Sequence, residues 1–124
     1  MANKKTILFV DDNKLDRTLI SRLLEKHDFN VLLAEDGPVG LRMAQGNAVD
    51  LILLDILLPG ISGIELCKKF KKNPATKQIP VIFYTAIDVP KQFIDYASCG
   101  ASDYIQKNMS PQELISSIKA ILKK

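Results

Sequence analysis

The sequence predicts a doubly wound α/β domain, in which helices cover both faces of a five-stranded parallel sheet. Five short apolar runs alternate with five amphipathic stretches, an order typical of successive strand-helix units. The third run, LILL at 51–54, is continuously apolar, as expected of a strand buried on both faces. The 124 residues, 47% hydrophobic and 25% charged, fit one domain with one core.

The first two strand-helix units are visible as changes of hydrophobic period. TILFV at 6–10 predicts the first strand, and residues 14–27 predict a helix. The apolar stripe of that helix comprises Leu15, Leu19, Ile20, Leu23 and Leu24. A second strand is predicted over 31–34 and a second helix over about 38–47, because Pro38 suits the first helical turn.

The third and fourth units carry clearer boundary signals. The strand at 51–54 is followed by Ser62 and Glu65, which predict a capping box at the start of the third helix. That helix should end before Pro74. PVIFYT at 80–85 predicts the fourth strand, and a fourth helix is predicted over roughly 89–98, stopped by Gly100. Its apolar residues exceed one stripe, so it is either packed more deeply or partly a partner-binding face; they are Val89, Phe93, Ile94, Tyr96 and Ala97.

The fifth unit closes the chain. A short strand is predicted over 104–106, and Ser110 and Glu113 form a second capping box before the last helix. The inward positions of that helix are Leu114, Ile115, Ile118, Ile121 and Leu122. We therefore expect a single domain over residues 1–124, with no output domain after it.

Composition and charge exclude several classes of function. The sequence has no apolar run near the length of a membrane span, and its N-terminus predicts a strand rather than a signal peptide. The net charge of +3 is modest. The lysines at 68–72 and 123–124 predict solvated surface rather than a nucleic-acid site. Cys67 and Cys99 lack metal-type spacing and predict reduced core residues, which favours a cytoplasmic setting.

Charged and hydroxyl side chains follow four of the predicted strands. Asp11 and Asp12 follow the first strand, Asp55 the third, Thr85 ends the fourth, and Lys107 follows the fifth. In open parallel sheets the functional crevice lies at these carboxyl ends. Taken singly, each residue has a structural explanation, such as helix capping by the acid pair. Together they predict one polar site.

The chemistry of such a site follows from its charges. Three close carboxylates repel one another and raise their pKa values, unless a hard divalent cation such as Mg²⁺ compensates them. With Asp11 and Asp12 holding the metal, Asp55 is free to act as a nucleophile and form an acyl phosphate. Lys107 and the Thr85 hydroxyl would contact the remaining phosphoryl oxygens.

These motifs resemble the receiver domains of two-component response regulators. The resemblance covers essentially the whole chain and lies in VDDN at 10–13, LLDILLPGISG at 53–63, FYTA at 83–86 and GASDYIQK at 100–107. It implies a flavodoxin-like fold with strand order 2-1-3-4-5, Mg²⁺ as cofactor, and phosphorylation of Asp55 by a phosphohistidine donor. It further implies that Asp12 binds the metal directly, Asp11 chiefly through water, and the Ile56 carbonyl as another ligand.

The resemblance also implies a signalling switch. Thr85 would move toward the phosphoryl group, and Tyr104 would swing inward behind it. This movement would change the face made by the fourth helix, fifth strand and fifth helix, as a ligand shifts two pre-existing conformations. The implied partners are a sensor histidine kinase or histidine phosphotransfer protein and a downstream effector protein, without direct binding of nucleic acid or membrane. The protein would be a monomer or a phosphorylation-dependent dimer, with no external turnover substrate.

The residue after the lysine departs from the receiver pattern. Receivers commonly place a proline after the lysine, whereas Asn108 follows Lys107 here. We therefore expect either a strained cis bond, which costs about 3–4 kcal/mol before a non-proline residue, or a trans loop that sets Lys107 differently.

Leu57 and Ile87 would flank the path of a hydrolytic water, and because both are apolar we expect autodephosphorylation that is not especially fast. His27, the only histidine, predicts a helix end rather than a phosphoryl carrier.

Other proteins of similar architecture fit the sequence less well. A flavodoxin needs a Ser/Thr/Gly-rich phosphate loop where this chain has DDNKLD. A haloacid-dehalogenase-type phosphatase needs a second acid where this chain has Leu57. A degenerate receiver acting as a phosphorylation-independent docking module is the remaining alternative. The sequence leaves open whether the receiver stands alone or belongs to a larger protein.

Overall fold

The computed structural model describes residues 4–123, apart from the side chain of Lys91. Within this range five strands form one sheet: β1 (Thr6–Val10), β2 (Asn30–Ala34), β3 (Leu51–Leu54), β4 (Val81–Thr85) and β5 (Asp103–Gln106). All neighbouring pairs are parallel, and the order is β2-β1-β3-β4-β5. The predicted fold and strand order are confirmed.

The described α-helices each begin at a side-chain cap. They are α1 (Lys14–Lys26), α2 (Gly37–Gly46), α3 (Gly63–Lys72) and α4 (Pro111–Leu122). The capping oxygens belong to Asn13, Asp36, Ser62 and Ser110. Ser62 accepts a hydrogen bond from the Glu65 amide at 3.2 Å, and Ser110 accepts one from the Glu113 amide at 3.3 Å. Each bond satisfies one of the amides that a helix start leaves unpaired.

Two apolar layers lie on opposite faces of the sheet. One contains Leu66, Cys67 and Phe70 of α3 together with Ala44 of α2. The other contains buried residues of α1 and α4, namely Ile20, Leu24, Leu114, Ile115 and Ile118. Successive strand residues point to opposite faces, so the fully apolar β3 supplies both layers, as its sequence predicts.

The predicted apolar stripe of α1 is only partly buried. Ile20 and Leu24 face the sheet, but Leu15 is 64% exposed and Leu19 is 52% exposed. Each residue turns a helix by about 100°, so Leu15 lies about 140° around the axis from Ile20. The prediction of one inward stripe was therefore wrong for Leu15 and Leu19.

The fourth predicted helix is absent from the described residues 89–98. Two short 3₁₀ turns, Lys91–Phe93 and Ala97–Cys99, take its place. The Val89 carbonyl, which would accept a bond in an α-helix, instead accepts one from the Tyr104 hydroxyl at 2.9 Å. The Asp95 carboxylate accepts a bond from the Ser98 amide at 3.2 Å, which starts a separate turn. These two competing bonds explain why residues 89–98 do not form the continuous helix predicted.

Candidate functional site

The backbone fixes Asp11 and Asp55 side by side at the carboxyl edge of the sheet. The Asp11 amide donates to the Ala34 carbonyl at 3.0 Å, and the Asp55 amide donates to the Val10 carbonyl at 3.0 Å. Both aspartates therefore extend the hydrogen-bond ladder of the sheet by one residue. Carboxylate oxygens of Asp11, Asp12 and Asp55 lie within 4.8 Å of one another. The predicted convergence of the three acids is thus present.

The three acids differ in their exposure to solvent. Asp11 is fully buried and Asp55 is 4% exposed, whereas Asp12 is exposed. Burial raises the pKa of Asp11 above its ordinary value, although hydrogen bonds from Lys107 and the Asn13 amide oppose that shift. The negative charge of Asp55 raises the pKa of Asp11 further. A nearby cation therefore favours ionisation of the buried Asp11 carboxyl group.

Lys107 supplies a cation at the same edge, directly after the outermost strand β5. Its Nζ lies 2.7 Å from Asp11 Oδ2, 2.7 Å from Asp16 Oδ2 and 3.2 Å from Asp55 Oδ2. Burial alone would lower the pKa of Lys107, but hydrogen bonds to the Asp11 and Asp16 carboxylates leave it above its ordinary value. The predicted approach of Lys107 to the acids is confirmed.

Asp16 was not predicted from the sequence as part of the site. It lies in the first turn of α1, three residues after the capping residue Asn13, whose side chain accepts a hydrogen bond from the Asp16 amide at 3.0 Å. The helix start follows Asp11 and Asp12 directly, so this turn lies beside the acidic edge. An acid in the first turn of a helix that starts at such an edge was the available signal.

The departure at Asn108 does not displace Lys107. The Lys107–Asn108 bond is trans, like every other peptide bond in residues 4–123. The Lys107 amide donates to the Thr85 carbonyl at 2.8 Å, which anchors the loop start to β4. The bond is therefore trans, and Lys107 nevertheless lies beside Asp55, with its Nζ 3.2 Å from Asp55 Oδ2.

The loop after Asp55 is held tightly against α3. The Leu57 amide donates to Asp55 Oδ1 at 3.1 Å, and the Gly63 amide donates to the Ile56 carbonyl at 2.9 Å. A Cβ atom at Gly63 would overlap the Asp55 carbonyl oxygen and lie 2.7 Å from Ile56 Cα. Glycine at the start of α3 therefore allows the helix to approach the backbone of Asp55.

The Ile56 carbonyl does not fit its predicted role as a metal ligand. It accepts hydrogen bonds from the Leu58 amide at 3.1 Å and the Gly63 amide at 2.9 Å. A carbonyl oxygen has two lone pairs, and these two bonds use both within the loop. We therefore leave Ile56 out of the ligand set.

The predicted switch residues lie on β4 and β5. Thr85 is fully buried, and its hydroxyl accepts a hydrogen bond from the Ile87 amide at 3.4 Å. Tyr104 is 2% exposed, and its hydroxyl donates to the Val89 carbonyl. The inward position that the sequence analysis assigned to the activated protein is therefore the position Tyr104 has here.

The remaining candidates behave mostly as structural residues. His27 caps the end of α1, as predicted. Cys67 and Cys99 are buried and free, also as predicted. Lys71 is an exception among the clustered lysines, because its Nζ donates to the Ile79 carbonyl at 2.5 Å rather than facing solvent.

Leu57 is 55% exposed and Ile87 is half-buried. None of the helices in residues 4–123 is long and apolar enough to cross a membrane.

The acidic site fits a hard divalent cation. Its donors are carboxylate oxygens close enough to share one ion, and Mg²⁺ prefers oxygen ligands while keeping several waters. The exposed side chain of Asp12 leaves room for such waters, whereas Asp11 and Asp55 approach from the buried side. The residues that would hold the ion are Asp11, Asp12 and Asp55.

Comparisons with known proteins agree with this arrangement. Residues 7–119 match the family model described as the response regulator receiver domain. The chain is 41% identical over 120 residues to the phosphate regulon transcriptional regulatory protein PhoB of Pseudomonas aeruginosa, covering 97% of this chain and 52% of PhoB. It is 34% identical to protein PilH of the same organism, covering 94% of this chain and 96% of PilH.

A solved structure gives the same relation in three dimensions. The crystal structure of response regulator protein TrrA from Thermotoga maritima in complex with Mg²⁺-BeF aligns with a TM-score of 0.84 and 30% identity. That alignment covers 94% of this chain and 98% of the TrrA chain. The fold, the acidic edge with its lysine, and the family match over residues 7–119 lead to one conclusion: the chain belongs to the response regulator receiver domain family of two-component signalling.

Proposed function

We propose that this receiver domain is a phosphorylation-dependent switch in a two-component phosphorelay, and that Asp55 is its phosphoryl acceptor. One observation carries the proposal: Asp55 is 4% exposed, borders two further acids, and lies 3.2 Å from the Lys107 ammonium. A buried carboxylate between a cation-binding cluster and a fixed lysine is suited to receive an anionic group. The donor would be a phosphohistidine of a sensor histidine kinase or a histidine phosphotransfer protein.

The transfer is a substitution at phosphorus. An Asp55 carboxylate oxygen forms a P–O bond while the P–N bond of the phosphohistidine breaks, and the electron pair of that bond stays on the imidazole nitrogen. The product is an acyl phosphate on Asp55. Hydrolysis later forms a bond from water oxygen to phosphorus, releases orthophosphate, and regenerates the carboxylate. The protein has no separate turnover substrate in this scheme.

The chain's own residues divide the work of the transfer. Asp11, Asp12 and Asp55 would hold Mg²⁺, and the bound ion would offset the negative charge of the phosphoryl oxygens. Lys107 can donate an N–H to one of those oxygens, since it already lies within hydrogen-bond distance of Asp55. Thr85 ends the neighbouring strand β4 and would donate its hydroxyl after a shift of the loop.

The output would appear on the surface formed by residues 86–99, β5 and α4. The Tyr104 hydroxyl ties residues 86–99 to β5 through the Ile87 and Val89 carbonyls, so a displacement of Thr85 and Ile87 can reach this surface through hydrogen bonds. Phosphorylation would shift the population of two conformations of this region. A downstream effector protein would bind one of them better, and a phosphorylation-dependent dimer could use the same surface.

The first experiment measures intact mass after incubation with Mg²⁺ and acetyl phosphate, which donates a phosphoryl group without a protein partner. We expect one added phosphoryl group on the wild-type protein, and none on Asp55→Asn or in EDTA. Asp36→Asn is a matched control, because Asp36 caps α2 and lies outside the acidic cluster. Modification that persists in Asp55→Asn would contradict the assignment of the acceptor.

A wild-type protein that stays unmodified requires a second arm with a protein donor. Incubation with a phosphorylated histidine phosphotransfer domain should then modify Asp55. Failure with both donors would overturn the proposal in favour of a receiver that acts as a phosphorylation-independent docking module.

A further inference from the structure

Asp16 makes an ion pair that the proposed transfer does not require. The distance from Lys107 Nζ to Asp16 Oδ2 is 2.7 Å, whereas the distance from the same Nζ to Asp55 Oδ2 is 3.2 Å. A lysine ammonium has three N–H donors. Lys107 hydrogen-bonds to the three carboxylates of Asp11, Asp16 and Asp55, so these contacts use all three donors.

Asp16 also differs from its neighbours in position. Asp11 and Asp55 extend strands and belong to the cluster that could share a cation, but Asp16 lies on α1 outside that cluster. Its side chain is 32% exposed, whereas those of Asp11 and Asp55 are 0% and 6% exposed. A cation bound by Asp11 and Asp55 would displace Lys107 from them, and Asp16 would remain as its carboxylate partner.

We propose that Asp16 is a positioning residue that holds the Lys107 ammonium toward α1 and thereby slows phosphorylation of Asp55. This inference rests on the proposed function and adds a control on its rate. Once a cation occupies Asp11 and Asp55, an approaching phosphoryl group competes with Asp16 alone for the position of the Lys107 ammonium, including the N–H that Asp16 accepts. Asp16 competes for that N–H with a full negative charge, and the charge also opposes the approach of an anion.

The first test compares phosphorylation rates at saturating Mg²⁺ with acetyl phosphate as donor. Asp16→Asn keeps the side-chain shape and removes the charge, and we expect its rate to rise at least about threefold. Glu25→Gln is the matched control, because Glu25 is an exposed acid at the other end of the same helix. Its rate should equal that of the wild type. A rate for Asp16→Asn equal to or below the wild-type rate would overturn the proposal.

A double-mutant cycle separates the contact with Lys107 from a general effect of charge. In a Lys107→Gln background the slow residual rate should not change when Asp16→Asn is added. An increase of the same factor in both backgrounds would mean that Asp16 acts on the donor by charge alone, and the positioning role would be wrong.

A spectroscopic measurement tests the contact without phosphorylation. In the Mg²⁺-loaded protein, the Lys107 NH₃⁺ protons should exchange slowly with water while Asp16 holds them, and faster in Asp16→Asn. Equal exchange rates of the Lys107 NH₃⁺ protons in the two proteins would show that Asp16 does not hold the ammonium. If the wild-type protein shows this slow exchange but no donor modifies Asp55, the proposed function fails while the contact stands. If Asp55 is modified normally and exchange is unaffected, only the role of Asp16 fails.

Discussion

The acidic edge of the sheet and residues 86–99 are built in different ways. At the acidic edge, Asp11 and Asp55 continue the hydrogen-bond ladders of β1 and β3. The backbone amide of Lys107 donates a hydrogen bond to the Thr85 carbonyl of β4. Residues 86–99 contain two 3₁₀ turns, and side chains of β5 attach them to the sheet: Tyr104 bonds to the Ile87 and Val89 carbonyls, and Gln106 bonds to the Ile87 carbonyl. The acidic groups are thus fixed by the sheet, whereas residues 86–99 are attached mainly through side chains of β5.

The proposed function would account for this difference. Transfer to Asp55 needs charges held at defined separations, and backbone ladders provide that. A surface that reports phosphorylation needs two conformations close in free energy, and a segment with few buried backbone bonds provides that. Changes at the acidic edge should therefore alter chemistry and stability together, whereas changes in residues 86–99 should alter conformation with the site intact.

The largest effect is expected from Gly63→Ala. Its new Cβ atom would overlap the Asp55 carbonyl oxygen and crowd Ile56 Cα, and backbone atoms cannot turn aside as a side chain can. We expect a loss of about 3 kcal/mol in the free energy of unfolding, measured with urea, and slower phosphorylation because Asp55 is displaced.

Gly46→Ala provides the matched control for that variant. Gly46 is the last residue of α2, and a Cβ there would meet no atom within 4 Å. Because alanine favours the helix more than glycine does, this change should leave stability equal or raise it by up to about 1 kcal/mol. Equal stabilities for the two variants would show that α3 can move away from Asp55, and that the acidic edge is less fixed than its backbone bonds indicate.

A smaller effect is expected from Tyr104→Phe, which removes only the hydroxyl. The Val89 carbonyl would lose its bond from Tyr104 at 2.9 Å and the Ile87 carbonyl its weaker bond at 3.3 Å, at a cost of about 1 kcal/mol. Amide hydrogen exchange should accelerate in residues 87–99 and stay unchanged in β3, and Asp55 should still be phosphorylated. Ser117→Ala is a useful comparison, because it deletes a hydroxyl that bonds to Asp103 instead of residues 86–99. Faster exchange across β3 in Tyr104→Phe would contradict the independence of the two regions.

The same contrast explains what the sequence could predict. Strands with continuous or alternating apolar residues, and helices with side-chain caps, were predicted close to their observed bounds because each signal is local. The convergence of Asp11, Asp55 and Lys107 also followed, since parallel strands bring their ends to one edge. The hydrogen bond from Tyr104 to Val89 could not be predicted, because it joins residues 15 apart in sequence and no sequence pattern indicates which carbonyl a tyrosine hydroxyl will meet.

Errors within the site have the same origin. Ile56 was assigned as a ligand by resemblance, but the approach of α3 through Gly63 occupies its carbonyl. Asp16 was overlooked because a helical acid near an N-terminus usually serves the helix itself. Its contact with Lys107 depends on the direction of α1 relative to β5, which only the packing of α1 on the sheet determines.

The smallest effect is expected from Asp95→Ala, which asks why residues 89–98 are not helical. The Asp95 carboxylate accepts a hydrogen bond from the Ser98 amide on an exposed surface, so its loss should change stability by less than about 1 kcal/mol. Alanine also has the highest helix propensity. NMR carbon shifts of residues 91–99 should therefore move toward helical values in Asp95→Ala and remain unchanged in Asp95→Asn, which keeps the accepting oxygen. If Asp95→Ala leaves the shifts unchanged while Tyr104→Phe moves them, the bonds from Tyr104 alone exclude the helix, and the conformation of residues 86–99 is set from β5.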